Sequence, residues 1–251
     1  MKDLNIYKLR LSQSMEDKLF FLNKVDIDSY DFILDFGCGT GELLNAIRSR
    51  GVDPDKLFGL DTNEEMIEHA LATYPYIKFM SSLEPLEVLL KKSTKSMVIF
   101  SSVLHEIDDH TQRKLIHTVM TKFDTVVIRD MKQPLNNEPI PNRTRKRVLE
   151  QVAPWQAEMF ENKWGKIVDK YGLYRFFLMN EFVENFETEV EEDYFGVLWG
   201  EIIWALEDAG FDMVYASAFT LPYRKHQVQK RFSHVMNDIT HKKIIYTKRG
   251  K

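Results

Sequence analysis

The chain has a single cysteine, Cys38, so no intrachain disulfide can form and no zinc site built on cysteines exists. No run approaches the roughly 18 apolar residues that suggest a membrane span. The first residues, Met1 to Leu11, hold no continuous apolar stretch of the secretory kind and read as mature protein. No internal repeat and no low-complexity tract is visible. Nor is there an excess of positive charge: 34 Lys and Arg stand against 38 Asp and Glu, for a net charge of −4. That argues against a protein that coats nucleic acid with its whole surface, though not against a local basic patch. What is left, in 251 residues of which 44% are apolar and 29% charged, is ordinary globular composition, which excludes a disordered or fibrous chain. The length suits one large α/β domain, or a core with an added cap. A soluble chain working in the cytoplasm is the expectation.

The first half alternates short β-rich runs with amphipathic helical stretches, the pattern of a parallel sheet with crossover helices. Strands are expected at Phe32–Phe36, Lys56–Leu60, Ile77–Met80, Ser96–Ser102 and Thr125–Asp130. The fourth is nearly all apolar, as a strand buried on both faces should be. Leu43, Leu44 and Ile47 mark the inward face of the first helix. Thr62 and Glu65 fit a capping box for the next, with Met66, Ile67, Ala70 and Leu71 as its apolar stripe. A helix over Thr111–Lys122 turns Leu115, Ile116, Val119 and Met120 inward. Residues 133 to about 192 show no clear strand and read as a helical insertion rather than a separate domain. Leu198, Ile202 and Leu206 then mark a helix stopped at Gly210, and Met213–Phe219 with Lys243–Thr247 form a final strand pair.

The strongest chemical signal is Asp35-Phe36-Gly37-Cys38-Gly39-Thr40-Gly41, between the first strand and the first helix. Glycines there allow a tight turn and close approach of a ligand, and the helix start offers main-chain N–H groups. The dinucleotide fingerprint needs a sixth-position glycine, where this chain has Glu42, and the Gly-Lys-Ser/Thr ending of a phosphate loop is missing. An acid at that place repels pyrophosphate. A cationic or neutral ligand fits better, with Asp35 entering the loop and Asp61 closing the second strand.

With Asp35-x-Gly37-x-Gly39-x-Gly41 followed by Gly59-Leu60-Asp61, the sequence resembles the class I S-adenosylmethionine-dependent methyltransferases. The resemblance covers roughly residues 30 to 130 and the closing helix and strands. It implies a doubly wound, Rossmann-like, seven-stranded, mostly parallel sheet, one methyltransferase domain over residues 1–251, and residues 133–195 inserted after the fifth strand as a substrate cap. It implies S-adenosylmethionine as cofactor. Gly37, Gly39 and Gly41 wrap its methionine part. Asp61 accepts both ribose hydroxyls, as one carboxylate can. Asp35 orients the loop and lies near the ammonium group. Cys38 sits inside the motif as a small filler rather than a nucleophile. Thr62, Ser81 and Ser102, beyond the ends of the second, third and fourth strands, complete the cofactor set. At Ser81 the chain departs from the acid often found there in the family, so the adenine contact falls to a hydroxyl or to main-chain groups.

Methyl transfer is a direct displacement, so alignment of the nucleophile is much of the work, and a base is needed only when the nucleophile carries a proton of high pKa. The acceptor should lie beyond the carboxyl ends of the fourth and fifth strands. His105 is the best single candidate for a base, and Asp130 joins it as a catalytic candidate. Glu106 either pairs with His105 or is solvated. Glu106, Asp109, His110 and Asp130 are ligand-type residues, but Asp109 and His110 are explained more simply as a helix start, and no metal is expected. The aromatics of the insertion, among them Trp155, Phe160, Trp164, Phe176, Phe177 and Phe182, are mostly core. Tyr194, Tyr223 and Arg224 are the candidates for substrate contact.

Charge is segregated. From Glu181 to Asp212 there are acids and no Lys or Arg, whereas from Leu221 to Lys251 Asp238 is the one acid among nine Lys and Arg. Arg143–Arg147 is a second basic cluster. These segments could grip phosphate, could neutralise the acidic stretch, or could be solvated. The leading expectation is an enzyme that methylates a small or medium-sized metabolite. The alternatives are an RNA methyltransferase using segments 143–147 and 224–231, and a non-catalytic cofactor-binding protein. No membrane partner is expected, and the oligomeric state is not legible.

Overall fold

The structure, a computed structural model, describes residues 14–180 and 185–250. Phe182, and the acids Glu181 and Glu184, lie outside the described residues. Two compact units result, one of residues 1–130, 198–216 and 243–251, the other of residues 131–197 and 217–242.

Seven strands make one sheet: β1 (Phe32–Phe36), β2 (Leu57–Leu60), β3 (Lys78–Met80), β4 (Ser96–Ser101), β5 (Thr125–Met131), β6 (Phe211–Phe219) and β7 (His241–Lys248). Their order is β3-β2-β1-β4-β5-β7-β6, and β1 to β5 pair in parallel. Every residue of β1, β2, β4 and β5 is buried. Such strands, covered on both faces, need continuous apolar runs, which is why they were visible in the sequence. β1 pairs with β2 on one side and β4 on the other, so the strand order reverses between β1 and β4. In sheets of this kind ligands bind beyond the carboxyl ends of the strands at such a reversal.

In the first unit the crossover helices are α1 (Glu42–Arg48), α2 (Glu64–Thr73), α3 (Leu86–Lys92) and α4 (Asp109–Thr118). Leu43, Leu44 and Ile47 of α1 are buried in the same cluster as Ile33, Met97, Ile99 and Val127. Each such side chain contributes about 1.5–3 kcal/mol when fully removed from water. α2 starts one residue later than the sequence suggested. Its cap is Asn63, whose side chain accepts the Met66 N–H at 3.3 Å, rather than Thr62. Asn and Thr are both good caps, and the chain turns on the second of the two. Of the expected stripe, Ile67 and Ala70 are buried while Leu71 is 46% exposed. α3, preceded by Pro85, was not expected. Asp108 caps α4, accepting from the Thr111 main chain at 3.0 Å and from its hydroxyl at 2.7 Å.

The second unit is helical, with α5 (Asn142–Leu149), α6 (Pro154–Trp164), α7 (Lys170–Met179) and the short α8 (Phe186–Glu189). α9 (Trp199–Asp208) belongs to the first unit, and α10 (Pro222–Phe232) to the second. Phe160, Phe176, Phe177, Phe186, Tyr194 and Phe232 form the second unit's core, whereas Trp155 is 46% exposed. Among the described residues no helix is long and apolar enough to cross a membrane.

Candidate functional site

β1 delivers its chain directly into the glycine turn. Gly37, Gly39 and Gly41 take φ of +75°, +53° and +84°, backbone that side chains disfavour. The Gly37 and Cys38 N–H groups both donate to the Leu60 carbonyl, at 2.7 and 3.0 Å, which locks the turn to the end of β2. A Cβ on Gly37 would stand 2.3 Å from Val103 Cγ2. The turn is therefore packed directly against the segment that follows β4. Asp61, at the end of β2, ties the far side: its Oδ2 accepts the Gly39 N–H at 2.8 Å and its Oδ1 the Asn63 N–H at 2.9 Å. A carboxylate has about four lone-pair directions, so two main-chain bonds leave capacity for further donors.

Cys38 is buried and packs beside Gly59, where a Cβ would lie 2.8 Å from its sulfur. Burial, with Asp35 and Asp61 adding, pushes its thiol far above the ordinary range. Thr62 and Ser81 are exposed at the ends of β2 and β3.

The turn after β4 carries the other half of the site. Ser102 holds a left-handed φ of +62°, unusual for a non-glycine residue. Asp130, fully buried near the end of β5, gathers this turn: one carboxylate oxygen accepts the Val103 and Leu104 N–H groups at 3.0 and 2.7 Å. Its other oxygen meets His105 Nδ1 at 2.6 Å. An acceptor at Nδ1 selects the ring form protonated there, which makes Nε2 the basic atom of the neutral imidazole. His105 is 7% exposed. Glu106 is exposed, and Asp109 and His110 open α4.

Sequence reasoning missed the residues that support this turn. Arg129, 3% exposed, donates from Nη1 to Ser102 Oγ at 2.7 Å and from Nε to Asp17 at 2.7 Å. Lys243 also bonds Asp17. Asp17 lies in the helical segment 14–18 together with Lys18, which is buried. Burial, with Arg129 adding, lowers the Lys18 ammonium's pKa, while Asp35, Asp130 and Glu106 oppose that shift. Asp35 is equally buried, and its carboxyl is pushed well above the usual range by burial, with Asp61 and Glu42 adding and Lys18 opposing. No sequence signal marks a lysine on so short a segment as buried, or the aspartate before it as paired with Arg129.

In the second unit, Tyr194 is a core residue at 1% exposure, with its hydroxyl bonded to Glu189. Burial and Glu189 raise its phenol well above the ordinary value. Arg224 is 6% exposed and donates from Nε to the Tyr223 hydroxyl at 3.3 Å.

Residues 33–133 match the family model of a methyltransferase domain. A stretch of 59 residues is 37% identical to putative methyltransferase 235L of Invertebrate iridescent virus 6. That stretch is 24% of this chain and spans about a fifth (22%) of the viral protein's length. Among solved structures, an S-adenosylmethionine dependent methyltransferase from Mesorhizobium loti is similar over 94% of this chain and 98% of its own, at 15% identity and a TM-score of 0.54. A SAM dependent methyltransferase from Archaeoglobus fulgidus is similar over 98% and 100%, at 16% identity and a TM-score of 0.53. At these identities the likeness establishes the fold.

Proposed function

We propose that this chain, whose residues 33–133 belong to the methyltransferases of the class I S-adenosylmethionine-dependent fold, methylates a small or medium-sized metabolite on an O or N atom. The observation that carries the reading is the glycine turn tied through Gly39 to Asp61 at the switch point of the sheet. The residues fit the cofactor: the turn carries no side chain at three left-handed positions, and Asp61 keeps acceptor capacity for two hydroxyls.

When bound, S-adenosylmethionine supplies a methyl group on a sulfonium, open to direct displacement. Gly37, Gly39 and Gly41 hold its methionine part. Asp61 holds the ribose hydroxyls, and Asp35 faces the ammonium. Thr62, Ser81 and Ser102 line the same crevice, with Cys38 filling space beneath. His105 Nε2 takes the proton from the acceptor as its bond to the methyl forms, and Asp130 keeps the ring in the form that can do so. Such a base contributes about 10²–10⁴ in rate, and alignment in the crevice supplies the rest.

The insertion 133–195 is assigned to acceptor selection within one methyltransferase domain. The single, buried thiol accords with a cytoplasmic setting.

A metabolite is favoured over RNA because three of the eight basic residues in segments 143–147 and 224–231 are tied internally or buried. Arg145 pairs with Glu161 at 2.5 Å, Arg231 donates to the Asn180 carbonyl, and Arg224 is buried. Arg143, Lys146, Arg147, Lys225 and Lys230 are exposed, which keeps RNA as the second reading. Labelled-methyl transfer into cell extract split into RNA, protein and metabolite fractions tests both. Label in the metabolite fraction supports the first reading, and label in RNA replaces it with the second. Cofactor binding with no transfer to any fraction leaves a binding protein without catalysis.

A further inference from the structure

The turn from Ser102 to His105 stands between the two halves of the site. On one side Val103 packs on Gly37 of the cofactor turn, and on the other Asp130 ties the same turn to His105. Its conformation is strained at Ser102, whose left-handed φ of +62° must be held by its surroundings. Two bonds hold it: the Ser102 N–H donates to the Arg129 carbonyl at 2.8 Å, and Arg129 Nη1 donates to Ser102 Oγ at 2.7 Å.

Arg129 is not free to choose that pose. Its guanidinium is a planar fork, and while Nη1 meets Ser102, Nε is fixed by Asp17 at 2.7 Å. Asp17 is held in turn by Lys243 of β7. The charges here alternate in sign, with buried Lys243, part-buried Asp17 and buried Arg129 in a row that ends on the Ser102 hydroxyl. Removing the carboxylate leaves the guanidinium without the partner that sets its angle.

From this row we propose that Asp17 is a positioning residue for the methyl-transfer site, acting through Arg129 and Ser102 to hold the turn that carries Val103 and His105. The inference rests on the cofactor reading above. It gives segment 14–18 a function that neither its composition nor its distance in sequence from the glycine turn would suggest. Asp17 touches neither cofactor nor acceptor in this scheme. Its effect passes by way of the turn, and the turn contacts both the cofactor loop and the base.

S-adenosylhomocysteine binding, measured by calorimetry on the full chain, is the test, with melting temperature followed for each variant. Asp17→Asn should weaken binding by about tenfold. Arg129→Lys keeps a cation for Asp17 but loses the second arm that reaches Ser102, and should weaken binding to a similar degree even if Asp17→Asn folds poorly. Ser102→Ala combined with Asp17→Asn should be no worse than the weaker-binding of the two single variants, because both cut one route. Lys243→Met removes the other partner of Asp17 but leaves its bond to Arg129, so it should weaken binding by less than Asp17→Asn does. A merely structural clamp would lower melting temperature in all four variants without moving affinity. Wild-type affinity in Arg129→Lys, or losses that multiply in the double variant, would overturn the proposal. A wild-type chain that does not bind S-adenosylhomocysteine overturns the cofactor reading itself.

Discussion

Asp61 Oδ2 accepts the main-chain N–H of Gly39 across 2.8 Å, joining the end of β2 to the middle of the turn that follows β1. The carboxylate thus does two things: it shapes the loop, and it offers lone pairs to a ligand in it. Asp61→Ala removes both. S-adenosylhomocysteine affinity should fall by roughly 2 kcal/mol or more, about thirtyfold, as a charged hydrogen-bond partner is lost. Calorimetry on the variant checks this, and unchanged affinity would remove Asp61 from the ribose site.

His105→Ala should lower the rate of labelled-methyl transfer by about 10²–10⁴ while cofactor affinity stays within about twofold. Asp130→Asn should also slow transfer, since a carboxamide can present N–H to the ring and permit the opposite tautomer. Initial rates in the labelled extract fraction decide it. A His105→Ala chain that transfers at full speed rules out a base at this position.

Asp35 gives a pH signature. Burial, Asp61 and Glu42 hold its carboxyl well above the ordinary value of 3.8 against the opposing pull of Lys18. The folded chain therefore keeps a proton there that the unfolded chain has lost. That contribution to stability is complete below 3.8 and declines as pH rises towards neutrality. Asp35→Asn has no such decline. Its melting temperature, relative to wild type, should climb by a few degrees between about pH 4.5 and about pH 7, while its cofactor affinity drops. Thermal melts at the two pH values test the sign, and a constant difference contradicts it.

Cys38, raised by burial and by the carboxylates of Asp35, Asp61 and Glu42, should resist alkylation. Iodoacetamide at about pH 8 should modify the native chain at less than about a hundredth of the rate in urea, because the thiolate and its access are both suppressed. With one cysteine in the sequence, intact mass reads the result directly. Rapid native modification would show the turn to open readily.

Much of the sheet was legible because strands buried on both faces must be apolar, and because left-handed turns select glycine. Ile33, Val98 and Ile128 stand in such runs, and Gly37, Gly39 and Gly41 in such a turn. His105 and Asp130 could be named, but not their 2.6 Å contact, which joins the turn after β4 to strand β5. Helix α10 escaped notice because its basic side chains hide the stripe of Val228 and Phe232. Asp17 and Lys18 were invisible for a different reason. Charged residues on a short helix normally face water, whereas Asp17 is tied by Arg129, 112 positions away, and Lys18 is buried beside Asp35 and Asp130 of distant strands.

β7 lies between β5 and β6, and its Lys243 reaches Asp17 across 226 positions. During synthesis, therefore, β5 waits as an open edge while β6 and α10 are made, and Asp17 lacks its Lys243 partner until β7 has left the ribosome. Pairing so distant is slow to form, and a waiting apolar edge invites the wrong neighbour. A nascent chain of this protein stalled just short of Lys243 should lean on chaperones more than the finished one does.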